Sequence, residues 1–280
     1  MPCTAILSWI WWNIKVSYGD VFSCNIELSS SGISSLIFPT AWENAPPLLS
    51  AVGYHSSLAR GKQINFLSAN RNYPVKNQTG SGIYSSTGVL ASWTSPDVPA
   101  THLVTARVPV RPSKYEVDWA QFAREEGDNI PAKEETFQTQ IFFDNFTAVS
   151  GSQLKSGINK VCQGSFCCLL NMSEPLSTKD LIFGAFSGLH EVAGRYYMEI
   201  CLVTGAPGPQ LWHLSLAGTF STQHVYPQAL YTQDLHPGER EVSADGVFTV
   251  STQAHTVGII GRNYQMDGGE LAKIREDVGL

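Results

Sequence analysis

Charge is scarce in this sequence. Only 15% of its 280 residues are Asp, Glu, Lys or Arg, the net charge is -6, and no long basic run occurs. A nucleic-acid surface needs Lys and Arg to neutralise phosphates, so that class of partner is not expected. The acidic cluster REEGD at 124–128 is short and reads as a solvated loop. The N-terminal stretch MPCTAILSWIWWNIKV is too short to span a bilayer. It has no basic residues ahead of its apolar part and no small-residue cleavage site, so it is a poor signal peptide. Leaving its Trp9, Trp11 and Trp12 exposed would be costly. The C-terminus ELAKIREDVGL is charged and lacks the hydrophobic tail of a lipid-anchor signal. Membrane association would therefore require an anchor that is missing from this sequence.

Several catalytic and metal motifs are missing as well. No Gly-x-Ser-x-Gly nucleophile elbow occurs. TGSGIY at 79–84 lacks the Lys and Ser/Thr that complete a phosphate loop, and reads as a turn of small residues. HEVAG at 190–194 begins like a zinc-binding helix, but Gly194 stands where its second histidine would be. No metal and no cofactor is expected.

Apolar residues, at 43%, are plentiful enough for a sizeable core in one or two domains. Six cysteines are present. Cys3 and Cys24 lie near the N-terminus, while Cys162, Cys167, Cys168 and Cys201 lie in the second half. The compact cluster VCQGSFCC with Cys201 reads as two disulfides. Adjacent Cys167 and Cys168 are poorly placed to pair with each other, which leaves two of the three pairings open. A zinc site would prefer paired two-residue spacings or interspersed histidines, and neither occurs. Three sequons, at Asn77, Asn145 and Asn171, stand beside this cluster and together favour an oxidising, secretory environment. The expected location is extracellular.

Along the chain, the first half alternates strand and helix. SSLIFP is a short apolar run with a proline stop, as in a strand buried on both faces. In ENAPPLLSAVGYHSSLARGK, Leu48, Ala51, Val52, His55, Leu58 and Ala59 recur at helical spacing. Pro46 and Pro47 suit the first turn and Gly61 a C-terminal stop. INFLSAN predicts a second strand, GIYSSTGVLASW a hairpin turning at Thr87-Gly88, and HLVTARVPV a further strand. This is the rhythm of a layered α/β domain. Residues 111–136 read as a linker or long loop. Beyond them come seven short apolar segments divided by Gly, Ser, Asn and Pro, as in a β-sandwich or irregular barrel. The predicted division is 1–136 and 137–280.

The run LIFPTAWENAPPLLSAVGYHSSLARGKQINFLSANRNYPVKNQTGSGIY resembles the biotinidase and vanin (pantetheinase) family of the carbon–nitrogen hydrolase, or nitrilase, superfamily. So do FFDNFTAV, VCQGSFCCLL, LIFGAFSGLHEVAGRYYMEICLV and LAGTFSTQHVYPQAL. The resemblance covers roughly residues 18–264. It implies a nitrilase-type α/β sandwich, here incomplete, followed by a β-rich base domain. It also implies amide hydrolysis by a Glu-Lys-Cys triad, in which Glu is general base, Cys attacks the carbonyl and Lys stabilises the tetrahedral intermediate. The substrate would be a small-molecule amide of biotinyl or pantetheine type.

By its match to GDVFSC, Cys24 falls on the family's nucleophile. Thr40, Ala41 and Trp42 fall on a strand end near the family's active site, with Trp42 as a plain core residue the alternative reading. The triad's Glu and Lys lie upstream of the cysteine in the family. Here no glutamate precedes Cys24, and Lys15 is the sole lysine that does. Only eight residues, NIELSSSG, separate Cys24 from Ile33. A crossover between parallel neighbours needs a dozen or more. The expectation is therefore a truncated chain with an internal deletion that is inactive by itself. The competing expectation is a secreted, non-catalytic protein whose base domain serves binding or structure. A redox role for Cys167 and Cys168 is weaker, because adjacent cysteines are not the two-spaced redox motif.

Overall fold

The first two strands run parallel, and that fixes everything between them. Strand β1 (Ser35–Thr40) pairs with β2 (Asn65–Asn70), from Ser35 opposite Asn65 to Thr40 opposite Asn70. Parallel neighbours need a long crossover, and helix α1 (Ala51–Lys62) supplies it. The hairpin of β3 (Ser81–Ser85) and β4 (Gly88–Trp93) extends the sheet in the order β1-β2-β3-β4, turning where Thr87-Gly88 predicts. The computed structural model describes residues 33–45, 47–114, 116–125, 135–138, 143–173, 181–191, 196–205, 213–231, 240–250 and 254–266. Cys3 and Cys24 lie outside them.

Helix α1 differs from its sequence reading at both ends. It starts at Ala51, whose N–H is satisfied by Asn44 Oδ1 at 2.7 Å, rather than at the prolines. It passes through Gly61 and is capped instead by Gln63, whose φ of 53° is left-handed and whose N–H reaches the Ala59 and Arg60 carbonyls. Gly61 has a packing role. A Cβ there would lie 2.4 Å from the Val225 carbonyl oxygen and 2.7 Å from the Tyr226 ring. HLVTARVPV forms no strand. Residues 101–109 take no regular secondary structure, and Leu103 and Val110 are more than four-fifths exposed. The segment touches the first sheet through side chains, His102 stacking on Trp93 at 5.1 Å and the Pro109 carbonyl accepting from Asn65 Nδ2 at 2.7 Å, and joins no strand ladder. Within the expected linker, Gln121–Glu125 form a short helix, α2.

The rest of the described chain is β, and all its strand pairings are antiparallel. One six-stranded sheet is built from β5 (Glu135–Gln138), β6 (Asn145–Ser150), β9 (Leu181–His190), β10 (Tyr196–Gly205), β12 (Val225–Tyr231) and β15 (Ala254–Arg262). Its order is β12-β15-β10-β9-β6-β5. A five-stranded sheet holds β7 (Gly157–Gln163), β8 (Phe166–Met172), β11 (Leu214–Gly218), β13 (Arg240–Val242) and β14 (Phe248–Val250), in the order β13-β14-β11-β8-β7. The described residues are thus mostly β-sheet, with one β-α-β crossover among them, between β1 and β2.

Two cores result. Phe183, Leu170, Leu216, Phe248 and Ile259 fill the space between the six- and five-stranded sheets. Tyr54 and Leu58 of α1 pack on the opposite face of the six-stranded sheet, against Ile200, Leu202, Tyr226 and Ile260. Strand β10 is therefore buried on both faces, which explains its nearly continuous apolar sequence.

Of the two pairings that the sequence left open, the structure has Cys162–Cys167 and Cys168–Cys201. The first closes the β7–β8 hairpin across opposed residues. The second is fully buried and ties β8 of one sheet to β10 of the other. Their sequence separations are 5 and 33. Loop-closure entropy then gives about 2 and about 4 kcal/mol of stabilisation. Removing Cys168–Cys201 as a double alanine variant is expected to lower the urea-unfolding free energy by the larger amount. Removing Cys162–Cys167 is expected to cost roughly half as much.

Candidate functional site at the ends of the parallel strands

In open α/β sheets, ligands bind outside the carboxyl ends of parallel strands. Here that rim is the end of β1, with Thr40 and Ala41, beside the end of β2, with Asn70, Arg71 and Asn72. Thr40 is half-buried and its carbonyl accepts the Arg71 N–H at 2.8 Å. Ala41 is exposed. Trp42 turns inward. It is buried, its ring stacks on Tyr54 at 4.9 Å, and its indole N–H donates to the Leu49 carbonyl at 2.9 Å. Of the three residues, Thr40 and Ala41 bound the rim, whereas Trp42 anchors it.

The residue that shapes this rim is Asn70. Its Oδ1 accepts the Trp42 N–H at 2.7 Å, and its Nδ2 donates to the Trp42 carbonyl at 3.1 Å and the Thr79 carbonyl at 2.8 Å. One amide side chain thus pins the loop after β1 to the loop before β3. Asn44 makes a second clamp. Its N–H donates to the Asn77 carbonyl at 2.8 Å, and its own carbonyl accepts from Asn77 Nδ2. Arg71 lies over the Tyr73 ring at 4.6 Å.

Beneath the rim sits His55. Phe38, Trp42, Tyr54, Phe66 and Tyr84 surround its ring. The ring is fully buried and neither nitrogen has a hydrogen-bond partner. Burial alone drives its pKa down to about 3, so it is a neutral, core-filling imidazole.

The described residues bring no thiol to the rim, because all four described cysteines are in disulfides. Cys24, the candidate nucleophile, lies outside the described residues. The motif HEVAG places His190 at the end of β9, where Nδ1 lies 2.8 Å from buried Asp144 Oδ2. Gly194 lies outside the described residues. Among the described residues, no three His, Cys, Asp or Glu side chains converge on a metal-sized site. Asn77, Asn145 and Asn171 are all exposed. A cleft of about 640 Å³ opens elsewhere, between the end of α1, Glu116–Trp119 and Gln223. Thr40, Ala41 and Trp42 do not line it.

A family model described as the vanin C-terminal domain matches residues 135–267, beginning where β5 begins. The chain is 35% identical over 256 residues to a pantetheinase of Mus musculus, covering 84% of this chain and 50% of that protein. It is 36% identical over 257 residues to a pantetheinase of Homo sapiens, with the same two coverages. Against a biotinidase of Homo sapiens it is 31% identical over 242 residues, covering 70% of this chain and 43% of that protein. The fold and these likenesses define a hydrolase-related, β-rich class. The chain belongs to the vanin/biotinidase family. It spans about half the length of the curated relatives it matches.

Two outcomes test the local chemistry. In the folded protein His55 stays neutral down to about pH 3, while the unfolded chain takes up its proton near 6.5. Its contribution to stability is therefore complete above pH 6.5 and is lost as pH falls from there towards 3, by at most about 1.4 kcal/mol per pH unit. Urea unfolding as a function of pH is expected to show that slope, and His55→Phe to remove it. Asn70→Asp keeps the shape of the side chain but aims carboxylate oxygens at two carbonyls. It is expected to cost roughly 2 kcal/mol or more and to release the Trp42 amide to hydrogen exchange.

Proposed function

We propose that the chain carries part of an amide-hydrolysing site of the biotinidase/pantetheinase type. Cys24 supplies the nucleophile, and Thr40 and Ala41 supply one wall of the substrate pocket, with Trp42 fixing that wall through its backbone. The observation that carries this reading is the parallel β1–β2 pair. Its carboxyl end holds an exposed, hydrogen-bonded loop where a strand bearing a thiol would present it. The reaction splits into acylation of sulfur and hydrolysis of the thioester. The preferred substrates are small-molecule amides of pantetheine or biotinyl type, in keeping with the names of the relatives.

In this reading the chain divides near residue 136 into a nitrilase-like α/β part and a base domain. The protein acts outside the cell, with glycans on Asn77, Asn145 and Asn171, all of which are exposed. Disulfide pairing in the β-rich part supports the same environment. Among the described residues, no helix is long and apolar enough to cross a membrane.

The 280 residues hold no glutamate ahead of Cys24, so by themselves they lack the triad's base. Loss of one member of such a unit removes activity by orders of magnitude. The deciding experiment is the intact mass of the endogenous protein after glycan removal and reduction, followed by an assay on pantetheine and a biotinyl amide. A mass well above 30.6 kDa, with turnover that Cys24→Ala abolishes, is the expected result. Turnover that survives Cys24→Ala would place the nucleophile elsewhere. A mass of 30.6 kDa without turnover would favour a non-catalytic binding or structural role.

A further inference from the structure

Lys62 ends helix α1 in an unusual setting for a lysine. Its Nζ lies 3.1 Å from His224 Nδ1 and 5.5 Å from the centre of the Tyr226 ring. The neighbouring Gly61 packs closely on Val225 and Tyr226, which sets the end of the helix directly against β12. Among the described residues no carboxylate lies within ion-pair distance of Lys62.

None of the neighbouring groups among the described residues carries a negative charge to hold an ammonium. His224 precedes β12 and is half-buried. Burial, then Lys62 and Arg262, lower its pKa to about 4, so it is a neutral ring whose Nδ1 accepts. Tyr226 on β12 has its pKa pushed well above 10, first by burial, and stays un-ionised. Arg262 ends β15, lies 4.7 Å over the Tyr264 ring and adds positive charge, while Tyr264 in turn packs edge-on against His224 at 4.9 Å. Desolvation lowers the Lys62 pKa from 10.5 to about 8. A lysine desolvated in this way is an activated nucleophile.

We propose that Lys62 is a covalent modification site whose ε-amine accepts acyl groups from thioesters, aimed by its hydrogen bond to His224. In the step, the neutral Nζ attacks the thioester carbonyl. The N–C bond forms as the C–S bond breaks, and sulfur leaves as thiolate. The proton shed by nitrogen passes through His224 Nδ1 to solvent. The product suits the site better than the reactant. A neutral amide replaces a poorly solvated ammonium, and its N–H still donates to His224 Nδ1. This acylation is separate from amide hydrolysis and does not depend on Cys24.

At pH 7.5, an amine with a pKa of about 8 is neutral some two hundred times more often than one at 10.5. Its lower basicity takes back part of that gain, leaving an advantage of roughly tenfold. The test incubates the whole chain with the acetyl thioester of N-acetylcysteamine at pH 6.5–10. Acetylation of each lysine is then followed by peptide mass spectrometry. Lys62 is expected to react about tenfold faster at pH 7.5 than exposed Lys76, Lys114 and Lys155, with its rate levelling above about pH 8. The preference is expected to vanish in guanidinium chloride. His224→Asp, which sets a carboxylate against Nζ and restores the ammonium, is expected to suppress it in folded protein. Equal rates at all four lysines, or a preference that persists in denaturant, would overturn the assignment.

Discussion

Helix α1 has almost no surface of its own. The sheet of β1–β4 lies on one side of it and the six-stranded sheet on the other, and nine of its twelve residues are buried. A helix in that position cannot sort apolar from polar residues onto two faces in the usual amphipathic way. It must make every polar side chain acceptable inside. Arg60 does so by reaching the Pro227 and Thr87 carbonyls, each at 3.4 Å, and by lying over the Phe248 ring. His55 does so by giving up its charge, and Lys62 by leaning on Tyr226 and His224. Where the sheets come too close for any side chain, glycine is required.

The same constraint orders the rim. Strand β1 enters the helix through a loop that must turn sharply and remain rigid, because the helix below it has no freedom to adjust. Asn70, Asn44 and Asn77 supply that rigidity with side-chain amides: Asn70 both accepts and donates, Asn44 Oδ1 accepts the Ala51 N–H, and Asn77 Nδ2 donates to the Asn44 carbonyl, so that a loop backbone which no sheet pairs is satisfied. The exposed part of the rim is small, namely Thr40, Ala41 and the residues after β2. The aromatic box around His55 supports it from beneath.

Much of this was legible in the sequence. Continuous apolar runs marked β2, β8, β9, β10 and β15, because strands largely buried on both faces need little polar alternation. The run SSLIFP marked β1 too, but its expected burial on both faces is not found: β1 is an edge strand whose residues alternate between exposed and half-buried, with Ile37 64% exposed. The helix was visible from Leu48 to Ala59, although its ends depended on contacts with Asn44 and Tyr226 that no local rule contains. Strand β7, GINKVCQ, was missed because its side chains are mostly half-exposed and polar. Strand β12 was missed because Pro227 interrupts it. A proline is tolerated there because β12 is an edge strand. HLVTARVPV misled in the opposite direction, since alternation predicts a strand only where a partner strand exists. At the site, the resemblance pointed to Thr40, Ala41 and Trp42, whereas Asn70 and Lys62 gave no sequence signal. Their chemistry arises from neighbours between 9 and 164 positions away in the chain.

The double burial of β10 bears on how the molecule can be taken apart. The family boundary at residue 135 falls in sequence between the two halves, but the second core does not respect it. Cutting there would strip the six-stranded sheet of α1 and leave Ile200, Leu202, Tyr226 and Ile260 facing water. An apolar patch on a sheet invites association with other chains. The unit that can be exchanged between relatives without repair is thus larger than the β-rich half. It includes the crossover helix, so a chimera that keeps the helix with its sheet transfers a finished surface, and one that divides them transfers a wound.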